Sequence, residues 1–180
     1  MEQKIFKLNN DKQLLVREAA SEDAVSVMDY INRVSGESDF LTFGPGEFKV
    51  TEQQEKEIIE NSRKSKNRLL ILGIIDNKIA GILNFSGGQQ TRTRHCGELG
   101  LTVGKQYWGM GTGSFMIDAL VEWAKCTGIV KKINLRVRTD NRRAILLYKR
   151  KGFIKEGTIR KEIFFDGRYY DHYWMSCELD

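Results

Sequence analysis

Residues 105–116 read KQYWGMGTGSFM, with Gly109, Gly111 and Gly113 at every second position and an apolar run behind them. Each glycine costs backbone entropy, so three together imply a close backbone approach or an unusual dihedral. The stretch joins a run that reads as a strand to one that reads as a helix. That order aims free loop N–H groups and a helix N-terminus at one point, which is chemistry for an anion. With no β-carbons in the way, a phosphate can rest on the backbone, and a pyrophosphate is the ligand such a loop grips. A Walker loop needs Lys-Ser/Thr after its last glycine, but here Ser114 follows Gly113 and Lys105 lies on the wrong side. A dinucleotide fingerprint needs G-x-G-x-x-G, whereas GMGTGS offers G-x-G-x-G and lacks the βαβ unit with its acidic residue. The alternative left open is a bare tight turn feeding a helix.

A second constellation follows. Asn141, Ala144 and Tyr148 stand at i, i+3 and i+7 in NRRAILLYKRK, one face of a short helix closed by Gly152. Leu146 and Leu147 lie off that stripe and are expected in the core. Titratable groups nearby are Glu98, in CGELGLTV, and the two histidines, His95 and His172. In YYDHYWM, either Asp171 or His172 points inward, depending on strand register, and neither histidine is assigned a catalytic role. Cys96, Cys126 and Cys177 are scattered and odd in number, which argues for free thiols and against a metal site.

The elements that must position these residues are readable from periodicity. KIFKL, a turn at NNDK and QLLVRE form an opening hairpin. Ser21 is placed to cap a helix carrying Ala24, Val27, Met28, Ile31 and Val34 at helical spacing. Phe40, Phe43 and Phe48 then surround the single proline in a loop over 35–50, where they either plug the edge of the core or wall a pocket; the core plug is favoured. Thr51 with Gln54 makes a capping box for a second helix running to about Ser65. RLLILGII, a turn at DNK, IAGILNFSGG and HCGELGLTV are strands; a helix from Phe115 to Ala124 follows the glycines and ends at Gly128. KINLRV alternates Ile133, Leu135 and Val137 on one face. FIKEGT, KEIFF and RYYDHYWMSCEL read as three strands, the last two joined by an Asp166–Gly167 turn. The pattern is a mixed α/β sheet with helices packed on it.

At 180 residues the chain fits one domain with a real core, and 41% hydrophobic with 29% charged residues is ordinary for a globular protein. The net charge of +5 is dispersed, and no arginine-rich groove or stacking motif points to nucleic acid. The longest apolar run, Leu69–Ile75, is too short to cross a bilayer. The first ten residues show no signal-peptide core, so a cytoplasmic location is expected.

QYWGMG (106–111) is similar to the Q/R-x-x-G-x-G/A signature of the GNAT superfamily of acyl-CoA-dependent N-acyltransferases. RTDNRRAILLYKRKGFIKEG (138–157) resembles that superfamily's N-x-x-A-x-x-x-Y…G-F…E-G block, in the right order and separation. The resemblance runs from about Leu14 to the C-terminus. It implies one N-acetyltransferase domain over 1–180, with a mostly antiparallel mixed sheet splayed in the middle and flanked by helices.

It also implies acetyl-CoA as co-substrate, with no metal. The pyrophosphate would lie on Gln106 and the backbone of Trp108, Gly109, Met110, Gly111, Thr112 and Gly113. The pantetheine arm would run along Leu101, Thr102 and Val103, with Asn141 and Ala144 opposite. Tyr148 matches the family's frequent general acid, and Glu98 is the candidate base on its strand. A backbone N–H near Leu101 would face the oxyanion.

The implied reaction is direct attack, in a ternary complex, by a primary amine of a small molecule or a protein N-terminus. Nucleic acid and membrane are not expected partners, and the resemblance leaves room for a homodimer. The rival reading is a non-catalytic acyl-CoA-binding or sensing domain on the same fold.

Overall fold

The structure is a computed structural model that describes residues 1–179. In chain order the elements are β1 (Lys4–Lys7), β2 (Gln13–Glu18), α1 (Ala24–Val34), α2 (Glu52–Lys64), β3 (Arg68–Ile75), β4 (Lys78–Gly87) and β5 (Cys96–Val103). Then follow α3 (Thr112–Thr127), β6 (Lys132–Arg138), α4 (Arg142–Arg150), β7 (Ile154–Phe165) and β8 (Arg168–Glu178). The strands form one sheet in the order β1-β2-β3-β4-β5-β6-β8-β7. Every neighbouring pair is antiparallel except β5–β6, which is parallel.

Two tight turns set the long hairpins. Asp76 and Asn77 between β3 and β4, and Asp166 and Gly167 between β7 and β8, all have positive φ. That is the two-residue turn whose twist matches paired strands, and its Asp/Asn/Gly composition is why it was legible in advance. The capping box of Thr51 and Gln54 opens α2 as expected, with Thr51 Oγ1 accepting from Gln54 N and Gln54 Oε1 accepting from Thr51 N.

The sheet buries two different faces. Under α3, Leu69, Ile71, Leu83, Phe85, Leu99, Ile133 and Leu135 pack with Met116, Ile117 and Leu120. Met116 lies in a trough over two cross-strand glycines, since a β-carbon on Gly73 or Gly81 would come within 2.9 or 3.0 Å of its Sδ. On the other face, Ala24, Val27, Tyr30 and Val34 of α1 and Ile59 of α2 close over Leu72 and Ile82. That second cover reaches only the first half of the sheet.

Four local expectations are corrected. Ser21 does not cap α1; it opens a 3-10 turn over Ser21–Asp23 and donates to Glu60 of α2. The Asp23 carboxylate accepts from Ala20 N and holds Arg17, so it is the acid that ties down the helix entrance. FIKEGT and KEIFF are one strand, β7, whose interruption is absorbed by register shifts between Lys155 and Gly157 and between Ile159 and Ile163. Leu146 is 55% exposed; only Leu147 packs on the core. Phe40, Phe43 and Phe48 belong to neither core cluster, and Phe40 is 38% exposed, so the core-plug reading of these phenylalanines fails; the loop residue that packs on the core is Leu41.

α3 begins where the glycine loop ends. Its N-cap, Gly111, has φ +96° and contributes no side-chain cap. A residue with a β-carbon is strained in this left-handed conformation by about 1–2 kcal/mol. Gly111→Ala should therefore lower the unfolding free energy by about that amount in urea titration, before any ligand is considered.

Candidate active site

The site begins with a break in the sheet. β5 pairs with β4 along its whole length, from Gly97↔Gly87 to Val103↔Gly81. β6 pairs with β8 along its whole length, from Lys132↔Glu178 to Arg138↔His172. Between β5 and β6, however, pairing covers only Cys96–Glu98 against Lys132–Asn134. Beyond that point the strands diverge, and the β5 edge over 99–103 has no strand partner. An open strand edge can hydrogen-bond an extended chain carrying amides.

Strand alternation then divides the site into two faces. Leu99, Leu101 and Val103 point to the α3 side. Leu101 and Val103 meet Gly113 at the start of α3, together with Leu147 of α4, where a β-carbon on Gly113 would lie 3.2 Å from Leu147 and 3.4 Å from Leu101. A β-carbon at Gly113 would thus be tightly packed, while at Gly109 (φ +82°) and Gly111 (φ +96°) the backbone conformation itself favours glycine.

With Gly111 uncapped, the first-turn N–H groups of α3 have no side-chain partner. Thr112 is buried with its Oγ1 unpartnered. A glycine loop with an open helix N-terminus behind it fits a phosphate. The loop is held in place from outside. Lys105 N donates to the Glu37 carboxylate (2.7 Å), Trp108 Nε1 donates to Val103 O (2.6 Å), and Asn9 N donates to Met110 O (3.4 Å). Gln106 is exposed beside it. Arg143, which sequence reasoning passed over, sets its guanidinium 5.1 Å from the Trp108 ring centroid and has no carboxylate partner among the described residues. It adds a positive charge where a phosphate would sit.

Ala144 and Tyr148 of α4 pack with the core on the α3 side. Asn141 is the N-cap of α4: its Oδ1 accepts from Ala144 N at 3.1 Å, which leaves Nδ2 as the donor available to a ligand. Ala144 is half-buried against the core. Tyr148 is buried, its ring tilted on Phe153 at 5.7 Å, and no described residue hydrogen-bonds its hydroxyl. Burial pushes its pKa up to about 12, so the hydroxyl keeps its proton at any working pH.

Glu98 lies on the opposite face. Its Oε1 accepts from Arg136 Nε at 2.7 Å, and Arg136 Nη1 also donates to Glu162 at 2.9 Å. Two strand positions on, Arg138 is enclosed. Its Nε and Nη2 grip Asp140 at 3.0 and 2.7 Å, its Nη1 donates to Asp39 O at 2.6 Å, and its guanidinium lies 4.8 Å from the Phe40 and 3.8 Å from the Tyr170 ring centroids. Arg138 thereby pins the 35–50 loop to the end of β6, and it holds the Asp140 carboxyl below its usual range.

The register question at the last strand is also answered. His172 turns inward beside Arg138, buried, with its Nδ1 unpartnered, whereas Asp171 accepts from Lys161 N. Burial lowers the His172 pKa, which leaves it neutral near pH 7. His95 is exposed, and its carbonyl accepts from Lys131 and Lys132. Arg136 and Arg138 went unremarked in the sequence, although they are the complement of the alternation that places Ile133, Leu135 and Val137 in the core. Among the described residues no cluster of His, Cys, Asp and Glu could hold a metal ion, and no helix is long and apolar enough to cross a membrane.

This arrangement has known counterparts. The acetyltransferase (GNAT) family profile matches residues 37–153. A GNAT-family acetyltransferase from Streptococcus pneumoniae is 34% identical, with a TM-score of 0.90 over 93% of this chain and 99% of that one. A Salmonella typhimurium protein solved with its cofactor acetyl-CoA shares the fold, at TM-score 0.81 and 17% identity over 93% of this chain and 94% of that one. Among curated proteins, an L-amino acid N-acetyltransferase of Escherichia coli is 31% identical over 59% of this chain and 65% of its own length. The ribosomal protein uS5-alanine N-acetyltransferase of Escherichia coli is 28% identical over 54% of this chain and 50% of its own length. The chain thus spans between half and two thirds of the length of these two curated relatives. An open glycine-loop helix terminus, a sheet parted beside it and a family profile covering both therefore lead to one conclusion: this chain belongs to the acetyltransferase (GNAT) family.

Proposed function

We propose that the protein transfers an acetyl group from acetyl-CoA to a primary amine, by direct attack through the gap between β5 and β6. The observation that carries this reading is the separation of Tyr148 and the glycine loop on one face of the parted sheet from Glu98 on the other. A donor thioester held on the α3 face and an amine arriving from the Glu98 face would meet in the gap, with no covalent enzyme step required.

The residues divide the work. The α3 N-terminus, the 109–113 backbone, Gln106 and Arg143 would hold the phosphates. The free β5 edge and the Asn141 amide would hold the arm. Glu98, with Oε1 fixed by Arg136 and Oε2 unpartnered among the described residues, would take a proton from the incoming ammonium, directly or through water. A backbone N–H near Leu101 would donate to the developing oxyanion. As the C–S bond breaks, the Tyr148 hydroxyl would donate to the sulfur. With its pKa near 12, it acts mainly as a buried hydrogen-bond donor to the departing thiolate, since a thiol is ordinarily the stronger acid.

The acceptor class at this coarse level is a small amine or a protein amine. Its pocket would be roofed by the 35–50 loop, whose Phe40 is exposed over Arg138 rather than buried.

Three experiments test the assignment. Tyr148→Phe removes one hydroxyl and almost no packing. Turnover should fall about 10²-fold with acetyl-CoA affinity unchanged by calorimetry, and full turnover would remove Tyr148 from the reaction. Glu98→Gln should depress kcat/KM most at low pH, where unprotonated amine is scarce. A pH–rate profile that only scales would leave Glu98 a partner of Arg136 and nothing more. Replacing Phe40 and Phe43 with alanine should raise the acceptor KM well above any change in the acetyl-CoA KM, and equal effects on both would count against a pocket roof.

A further inference from the structure

A short piece of chain ties the end of β5 to the end of β6, and from it we infer that Glu37 is a positioning residue for both substrates. Its carboxylate holds the entrance of the glycine loop and the 35–50 loop in one frame, so its loss weakens acetyl-CoA and the amine together. This rests on the acetyl-transfer reading above and deepens it.

The turn Lys105–Tyr107 carries the chain from β5 into the glycines. Before it, Gly104 N donates to Ala80 O at 2.9 Å, and within it Tyr107 N donates to Gly104 O at 2.9 Å. The Lys105 amide heads the turn, where a donor has no partner inside the turn and a capping acceptor is needed. No neighbouring side chain supplies one. The acceptor is Glu37 Oε2, 68 positions away in sequence and 2.7 Å distant. The other oxygen, Oε1, accepts from Arg33 Nη1 at 2.8 Å, and Arg33 Nη2 donates to Ile79 O at 3.3 Å. Gly104 leaves room for this approach, since a β-carbon there would lie 3.3 Å from Arg33 Nη1 and 3.6 Å from Glu37 Oε2. Both oxygens are bonded within the protein, which suits a group that holds its neighbours in place.

Two residues on, the chain has reached β6. Asp39 O accepts from Arg138 Nη1 at 2.6 Å, and the Phe40 ring centroid lies 4.8 Å from the same guanidinium. Residues 37–40 thus bridge the two strands whose pairing ends at Glu98 and Asn134. A stretch this short reaches at most about 3.6 Å per residue, so its two anchors cannot move independently. Direct attack needs the thioester carbon and the amine at about 3–3.5 Å, and a misplacement of about 1 Å is costly. Glu37 fixes one end of the bridge, on the side of the glycine loop, and Arg138 fixes the other, on the side of Phe40.

Two substitutions remove the same bond from its two ends. Glu37→Ala deletes the acceptor. Lys105→Pro deletes the amide hydrogen at the first position of a helical turn, behind Gly104 at φ −57° and ψ 141°, where proline is compatible. With the full chain, acetyl-CoA affinity is read by calorimetry and the amine KM by thiol release, using whichever of spermidine and alaninamide the unaltered protein acetylates faster. Each substitution should raise both the acetyl-CoA Kd and the amine KM about three- to tenfold. The double variant should do no more than either alone, because one bond is lost in all three. An effect confined to one substrate, effects that add in the double variant, or no effect from either substitution would overturn the inference while acetyl transfer itself stood. Acetyl-CoA binding without transfer to either amine would instead overturn the acetyl-transfer reading, and this inference with it.

Discussion

The arrangement depends on one lapse in hydrogen bonding: β5 and β6 stop pairing after Glu98 and Asn134. Each strand keeps a complete partner on its outer side, β4 for one and β8 for the other, so the gap sacrifices only the bonds between the two. The divergence is supported from both directions. Leu101 and Val103 pack toward Gly113 and Leu147, while Arg138 is drawn to Asp140, Asp39 and Tyr170 on the far side. What remains is an open strand edge and an uncapped helix N-terminus, two backbone features with unused hydrogen-bonding groups.

Once the sheet is parted, the two-residue period of its strands does the rest. Along β5 and β6 the odd positions join the α3 core, and the even positions carry Glu98, Arg136 and Arg138. The two sides of the gap thus differ in residue type. Tyr148 sits on the α3 side, where burial keeps its hydroxyl protonated. On the other side the charges neutralise one another in short contacts. A buried, protonated hydroxyl and an arginine-paired carboxylate in this way lie on opposite faces of one sheet.

The 35–50 loop links the two sides. The Glu37 carboxylate at its start takes the Lys105 N–H at the mouth of the glycine loop and also pairs with Arg33 of α1. Asp39 and Phe40, two and three residues on, are held by Arg138 at the end of β6. A segment without helix or strand is therefore held by one carboxylate, one guanidinium and the packing of Leu41 on the core under α1. Its phenylalanines are left out of both core clusters, and the apolar contact of the loop with the core is made by Leu41 instead.

The features that a sequence can show are those set by neighbours in the chain. Three glycines before an apolar helix, the Asn141–Tyr148 stripe, the Asp-Asn and Asp-Gly turns and the Thr51–Gln54 box are all local in this sense, and they stand where periodicity and turn chemistry put them. Even here the part Asn141 plays as the cap of α4 appears only in the structure, where Ala144 N donates to its Oδ1. What only the tertiary structure decided involves residues far apart. Glu98 meets Arg136 across 38 positions, Arg138 meets Asp39 across 99, and which of Asp171 and His172 turns inward follows from the pairing of β8 with β6. In strands the side-chain direction alternates with every residue, so a partner or a facing is undetermined until the register is set. The register depends on how the whole sheet packs, and the contacts of Glu98, Arg136 and Arg138 depend on it in turn.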